Sequence, residues 1–179
     1  MKSTVLATLL CTTALIAPIA AQTPNIPDPK PAAQEKTTSE LAFAAFTDMK
    51  NVLKIAGTAN NLENAKKAIT AIQGLTAKFP AQTKAITAAD APNLEERKKW
   101  AIRMLDQQQA MKNAVDQMNR TLNAADIEVQ KMMAPAMQSF FLNVRPLAVA
   151  MEKHFPAGEQ KSFEDAEKAR RAAAKAKQP

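Results

Sequence analysis

His154 is the only histidine in the chain, and it is the one side chain whose type and position could carry metal or cofactor chemistry. It falls on the apolar stripe of what reads as the last helix of a helical body, near that helix's C-terminal end. A neutral imidazole facing such an interior is either a hydrogen-bonded core residue or a ligand for a metal or haem iron. Other chemistry is poorly provided for. A single histidine rules out His-X-X-X-His zinc motifs, and Glu152-Lys153-His154 lacks the Glu-X-X-His spacing of di-iron bundles. The three glycines are scattered, so no phosphate-cradling loop can form. Ser139 and Ser162 lack a Gly-X-Ser-X-Gly context. Asp106, Asp116, Glu95 and Glu96 lie off the apolar stripes, where nothing would tune a carboxylate for acid catalysis. The chain is expected not to be an enzyme and to need no metal.

Before those residues can be positioned, the start of the chain has to be set apart. Lys2 is a short positive segment, Val5 to Ile19 carry no charge, and Pro18-Ile19-Ala20-Ala21 ends on small residues. This order is that of a secretory signal peptide, residues 1–21, with cleavage expected after Ala21. The apolar run of about 15 residues is shorter than the roughly 20 that span a bilayer as a helix. The mature chain is therefore expected not to be transmembrane. Cys11, the only cysteine, would leave with the signal. Disulfides, cysteine zinc sites and thioether-bound haem then drop out, and core packing alone must hold the mature chain together.

The chain holds 24 basic and 17 acidic residues, net +7, and loses one positive charge with Lys2. In an exported protein such a balance suits an acidic partner protein or an anionic envelope surface better than nucleic acid. The densest basic stretch is residues 159–179. Its candidate contacts are Lys168, Arg170, Arg171, Lys175 and Lys177. It has one large apolar side chain, Phe163, and is expected to be a frayed helix or a disordered tail.

The elements between these ends are helical. Residues 22–36 hold Pro24, Pro27, Pro29 and Pro31, the pattern of an extended linker. From residue 37 to 158 Ala, Leu, Lys, Gln and Met dominate, tyrosine is absent, and strands are improbable on propensity. A first helix is expected over Thr38–Ala56, capped by Thr38 or Ser39, with Gly57 as a left-handed stop. Its apolar positions Ala42, Phe46, Met49, Leu53 and Ala56 alternate by four and three. A second is expected over Asn61–Phe79, stopped by Pro80, with Gly74 offering a close helix approach. A loop over Pro80–Pro92, with room for a short helical turn, should follow. A third helix starts near Asn93, with the seam Ala101, Met104, Gln108, Met111, Val115, Met118 and Leu122. A break near Asn123, where Asn123-Ala124-Ala125-Asp126 resembles a capping box, separates it from the fourth. The fourth runs to Phe155 with Pro135 and Pro146 inside it, each expected to kink it. These elements make an all-α, antiparallel up-down four-helix bundle with a proline-kinked last helix.

The runs Met49-Lys50-Asn51-Val52-Leu53-Lys54-Ile55 and Asn60-Asn61-Leu62-Glu63-Asn64-Ala65-Lys66-Lys67-Ala68 resemble the first helical hairpin of the soluble periplasmic b-type cytochromes. That resemblance implies an exported four-helix bundle holding haem b between a methionine of the first helix and a histidine of the last. His154 matches the second ligand. At the methionine position this chain has Phe46. The nearest core methionine, Met49, lies about 4.5 Å further along the axis, and Met104 is displaced likewise. Three readings follow. The first is an exported, non-enzymatic helical bundle, without cofactor, that binds or supports something in the cell envelope, periplasmic or secreted. The second is a periplasmic b-type haem electron carrier using His154 and Met49. The third is a periplasmic chaperone-like bundle that opens to expose Met and Phe side chains.

Overall fold

The computed structural model describes residues 36–176. The signal peptide (1–21), nearly all of the proline-rich linker (22–36) and Lys177 lie outside the described residues. The architecture is all-α. Six helices make up the described residues, two more than the four-helix expectation: α1 (Thr38–Ala56), α2 (Leu62–Thr76), α3 (Phe79–Ala88), α4 (Leu94–Ala124), α5 (Ile127–His154) and α6 (Ala157–Ala176).

Helix starts follow local capping chemistry. Thr37, just before the expected caps Thr38 and Ser39 of α1, forms a reciprocal capping box: its hydroxyl accepts from the Glu40 amide at 3.3 Å, and Glu40 accepts from the Thr37 amide at 3.0 Å. Asn93 and Glu96 repeat the device at the start of α4, both bonds 3.0 Å long. Asn61 caps α2 through the Asn64 amide at 2.9 Å. Gly57 follows α1 in a right-handed conformation, φ −66°, so the expected left-handed stop is not what needs a glycine. Close approach is: a Cβ there would stand 3.1 Å from Gln117 Cγ and 3.3 Å from the Met118 nitrogen of α4. Gly74, by contrast, borders open space and mediates no close helix contact.

The loop expected over Pro80–Pro92 is mostly helix. Pro80 begins α3 instead of merely stopping α2, because proline in a first turn gives up a donor that has no helical partner anyway. Phe79 and Ile86, both fully buried, anchor α3. Phe79, Thr83 and Ile86 alternate by four and three, a signal too short to stand out in the sequence. The break near Asn123 is present. α4 ends at Ala124 and α5 starts at Ile127, but Asp126 makes no side-chain cap, so the expected capping box is absent. α5 continues through Pro135 and Pro146.

α1 sits at the centre, packed on α2, α3, α4 and α5, while α5 packs on α2 and α3 and α6 packs on α4. α1 and α4 run in the same direction. Ser39 bonds the Glu96 carbonyl at one end, and Thr121 bonds the Gly57 carbonyl at 2.9 Å at the other. Asp48 of α1 accepts from Gln82 of α3 at 2.8 Å. α4 and α5 meet mainly at their ends, and Trp100 stacks on Phe155 with ring centroids 4.6 Å apart. The methionine-rich seam is core packing: Met118, Met133 and Met137 are buried.

The 159–179 segment, expected as a frayed helix or tail, lies within and beyond α6, which docks on α4. The means of docking could not be read from apolar spacing, because the buried residues of α6 are Glu164 and Glu167.

Candidate functional site

His154 ends α5 and is buried. Its Nε2 lies 2.8 Å from the Ile86 carbonyl of α3. A carbonyl only accepts, so Nε2 carries the proton and the ring is held as a donor tying α5 to α3. The bond adds a second donor to a backbone oxygen near the C-terminus of α3 that already accepts from the Ala89 amide at 3.2 Å. Met49 is buried in the centre of α1. Neither residue lines any of the four cavities described. This arrangement does not fit a haem ligand pair, since the ring nitrogen in view is already committed to Ile86.

The cations singled out from the sequence gather more convincingly. Lys168, Arg171 and Lys175 recur at steps of three and four, so they share one face of α6. With Ala172 and Leu105 of α4 they line a cavity of about 330 Å³ at the α4–α6 junction. Arg171 is the fixed member. Its Nη1 donates to Asp106 at 2.8 Å and its Nε to Glu167 at 2.7 Å. Lys168 stands 3.8 Å from Asp165. Lys175 is exposed and makes no ion pair among the described residues. Arg170 is not among this cavity's lining residues and grips Glu167 through Nε at 2.7 Å and Nη2 at 2.8 Å. Lys177 lies outside the described residues.

Glu167 is thus clamped by two guanidiniums. Their hydrogen bonds, Arg170's first and Arg171's second, hold its carboxyl at about 2, well below the ordinary 4.5. Arg171 is pushed up in turn, chiefly by Asp106 and then by Glu167. Glu164 is held by amides instead: Gln108 donates to it at 2.7 Å and Gln160 at 2.9 Å. Arg97 of α4 lies 3.2 Å from Glu159 near the start of α6. Sequence reading missed these carboxylates because it searched α6 for apolar residues. The detectable signal was Glu164-X-X-Glu167-X-X-X-Arg171, paired with Asp106 and Gln108 on the earlier helix.

The acid response of α6 follows from Glu167. A carboxylate whose folded pKa is depressed contributes stability that is complete above its unfolded value and is lost as pH falls toward its folded one. The stability that this clamp within α6 gives the helix should therefore be complete from neutrality to about pH 5 and be lost between about 4.5 and 2. Hydrogen exchange of the α6 amides, corrected for intrinsic rates, should show protection falling across that window. In Glu167→Gln the step should vanish, with lower protection at neutral pH.

The chain matches no protein-family model, no curated protein and no solved structure.

Proposed function

We propose that this chain is an exported, non-enzymatic binding module of the cell envelope, and that the cationic face of α6 engages an anionic partner there. The observation that carries the reading is the convergence of Lys168, Arg171 and Lys175 on one cavity between α4 and α6. Arg171 is positioned by Asp106 and Glu167, while Lys168 and Lys175 stay exposed. One ordered cation beside two exposed ones is an arrangement that phosphate or carboxylate groups can join without unfolding the helix. The positive balance, +7 for the whole chain less the Lys2 charge lost with the signal, supplies longer-range attraction to such a partner.

Export is part of the proposal. It rests on Lys2, the uncharged stretch Val5–Ile19 and the small residues at Ala20 and Ala21. No helix among the described residues is long and apolar enough to cross a membrane. We take the body to be an up-down bundle in which α2 and α3 form one interrupted leg. α5 would bend at Pro135 and Pro146, where each proline removes a backbone donor. The chaperone-like reading would require opening a body whose Met118, Met133 and Met137 are buried.

The test uses the full-length chain expressed in a bacterium with a periplasm. The exported form should begin near Gln22 by N-terminal sequencing. It should bind immobilised polyphosphate and elute at a defined salt concentration. Lys168→Ala/Lys175→Ala spares the two arginines that hold α6, so it should elute markedly earlier with an unchanged thermal midpoint. Elution at the wild-type salt concentration would remove α6 as the binding face.

A further inference from the structure

We propose that the outward face of α5 is a docking surface for an anionic lipid bilayer, with the helix lying in the membrane interface. This names the anionic envelope surface of the preceding reading and rests on it. The apolar side chains most exposed to solvent are concentrated on this helix: Leu142 68%, Val149 64%, Ile127 61% and Phe141 55%. The inward face is built from Val129, Met133, Met137, Phe140 and Leu147, all buried. The outward side of α5 therefore carries large apolar side chains among exposed polar ones such as Gln138 and Glu152, and packing on α2, α3 and α1 does not account for them. A helix at the edge of a body ordinarily turns a polar face outward.

Charge identifies the occupant. Phe141, Leu142 and Val149 surround Arg145 over two turns of one face. Arg145 is exposed and makes no ion pair among the described residues. Toward the two ends Lys131 and Lys153 are offset by Glu128 and Glu152, so Arg145 supplies the excess positive charge of this face. Pairing this face with a second copy across a two-fold axis through its centre would bring Arg145 toward its own symmetry mate. A bilayer surface supplies the complement instead. Phosphates lie at the level an arginine reaches, and the acyl boundary lies just below, where Phe, Leu and Val insert. Since no described helix can span a membrane, the contact is with the surface.

The probe is vesicles of phosphatidylglycerol mixed with phosphatidylcholine, compared with phosphatidylcholine alone, read by co-sedimentation of the mature chain. The wild type should partition to the phosphatidylglycerol vesicles. Phe141→Ala/Leu142→Ala/Val149→Ala should bind at least about tenfold more weakly. Arg145→Glu, which keeps the apolar groups, should lose the preference for phosphatidylglycerol. Both variants alter exposed positions, and an unchanged thermal midpoint confirms the fold. Wild-type binding by the triple variant overturns the proposal. If Lys168→Ala/Lys175→Ala then loses binding, the α6 reading survives alone. Failure of the wild type to bind phosphatidylglycerol vesicles overturns the α5 surface outright. Polyphosphate binding decides the α6 reading separately. A dimer in sedimentation velocity that the triple variant abolishes would assign the face to a second copy and overturn the lipid assignment.

Discussion

Phe79→Ala should destabilise the protein by about 3–5 kcal/mol, the range for removing a fully enclosed phenyl ring. Phe79 is 0% exposed and begins α3, where α2 has just ended. Its ring meets Phe140 of α5 with centroids 6.0 Å apart, tilted by 54°. It therefore plugs the joint between two helices and fastens that joint to a third. Alanine would leave a cavity at the point where the α2–α3 leg changes direction, and neighbouring backbone would have to collapse into it. Urea unfolding followed by far-UV circular dichroism measures the effect as a lower midpoint at constant slope. Phe141, next to Phe140 but mostly exposed, is the control. Its replacement by alanine should shift stability by about 0.5 kcal/mol or less. Equal costs at the two positions would show that Phe79 is not the enclosed plug described.

His154→Ala should cost about 2–4 kcal/mol, combining the lost bond to the Ile86 carbonyl, which keeps only the Ala89 amide, with the cavity left by the ring. The geometry separates these contributions. His154→Gln keeps an N–H donor within reach of the same carbonyl and should recover part of the loss; His154→Leu fills the volume without a donor and should recover less. Haemin distinguishes this structural role from the cofactor reading. With Nε2 donating to Ile86, haemin should give the wild type no Soret band that His154→Ala removes. A band lost in that variant would show that the ring leaves Ile86 for iron, and would restore the electron-carrier alternative.

Three facts about α6 bear on both functional readings. Its docking depends on charge pairs and amide bonds more than on apolar area. The arginine ends of these pairs are exposed, so solvent and salt weaken them. The helix is thus the part of the body most open to competition from a polyanion. Arg171, which ties it to α4 through Asp106, also belongs to the cationic surface assigned to a partner.

Much of this was written into the sequence, and the remainder was not legible for definite reasons. Alternating apolar residues placed α1, α4 and α5, because burying a stripe requires the helical period whatever the neighbours are. The α4–α5 boundary was also legible as a break near Asn123, although its supposed capping box was not there. α3 was hidden because two buried residues, Phe79 and Ile86, make too short a pattern, and because proline after a helix reads equally as a stop and as a fresh start. α6 was hidden more deeply. A buried carboxylate is costly alone and acceptable when paired, and the partners of Glu164 and Glu167, which are Gln108, Gln160, Arg170 and Arg171, lie partly on another helix.

Composition and periodicity by themselves determined that this body is helical, where its longest helices run, and which cations crowd its last segment. Only the tertiary structure decided what His154 does and which cations share a cavity. An imidazole on an apolar stripe is equally a tie or a ligand until the atom facing it is known, and that atom is the carbonyl of Ile86, 68 residues away in the chain. Likewise, Lys168, Arg171 and Lys175 share a helical face by spacing alone. The cavity they line exists only because Leu105 and Asp106 of α4 are folded against them.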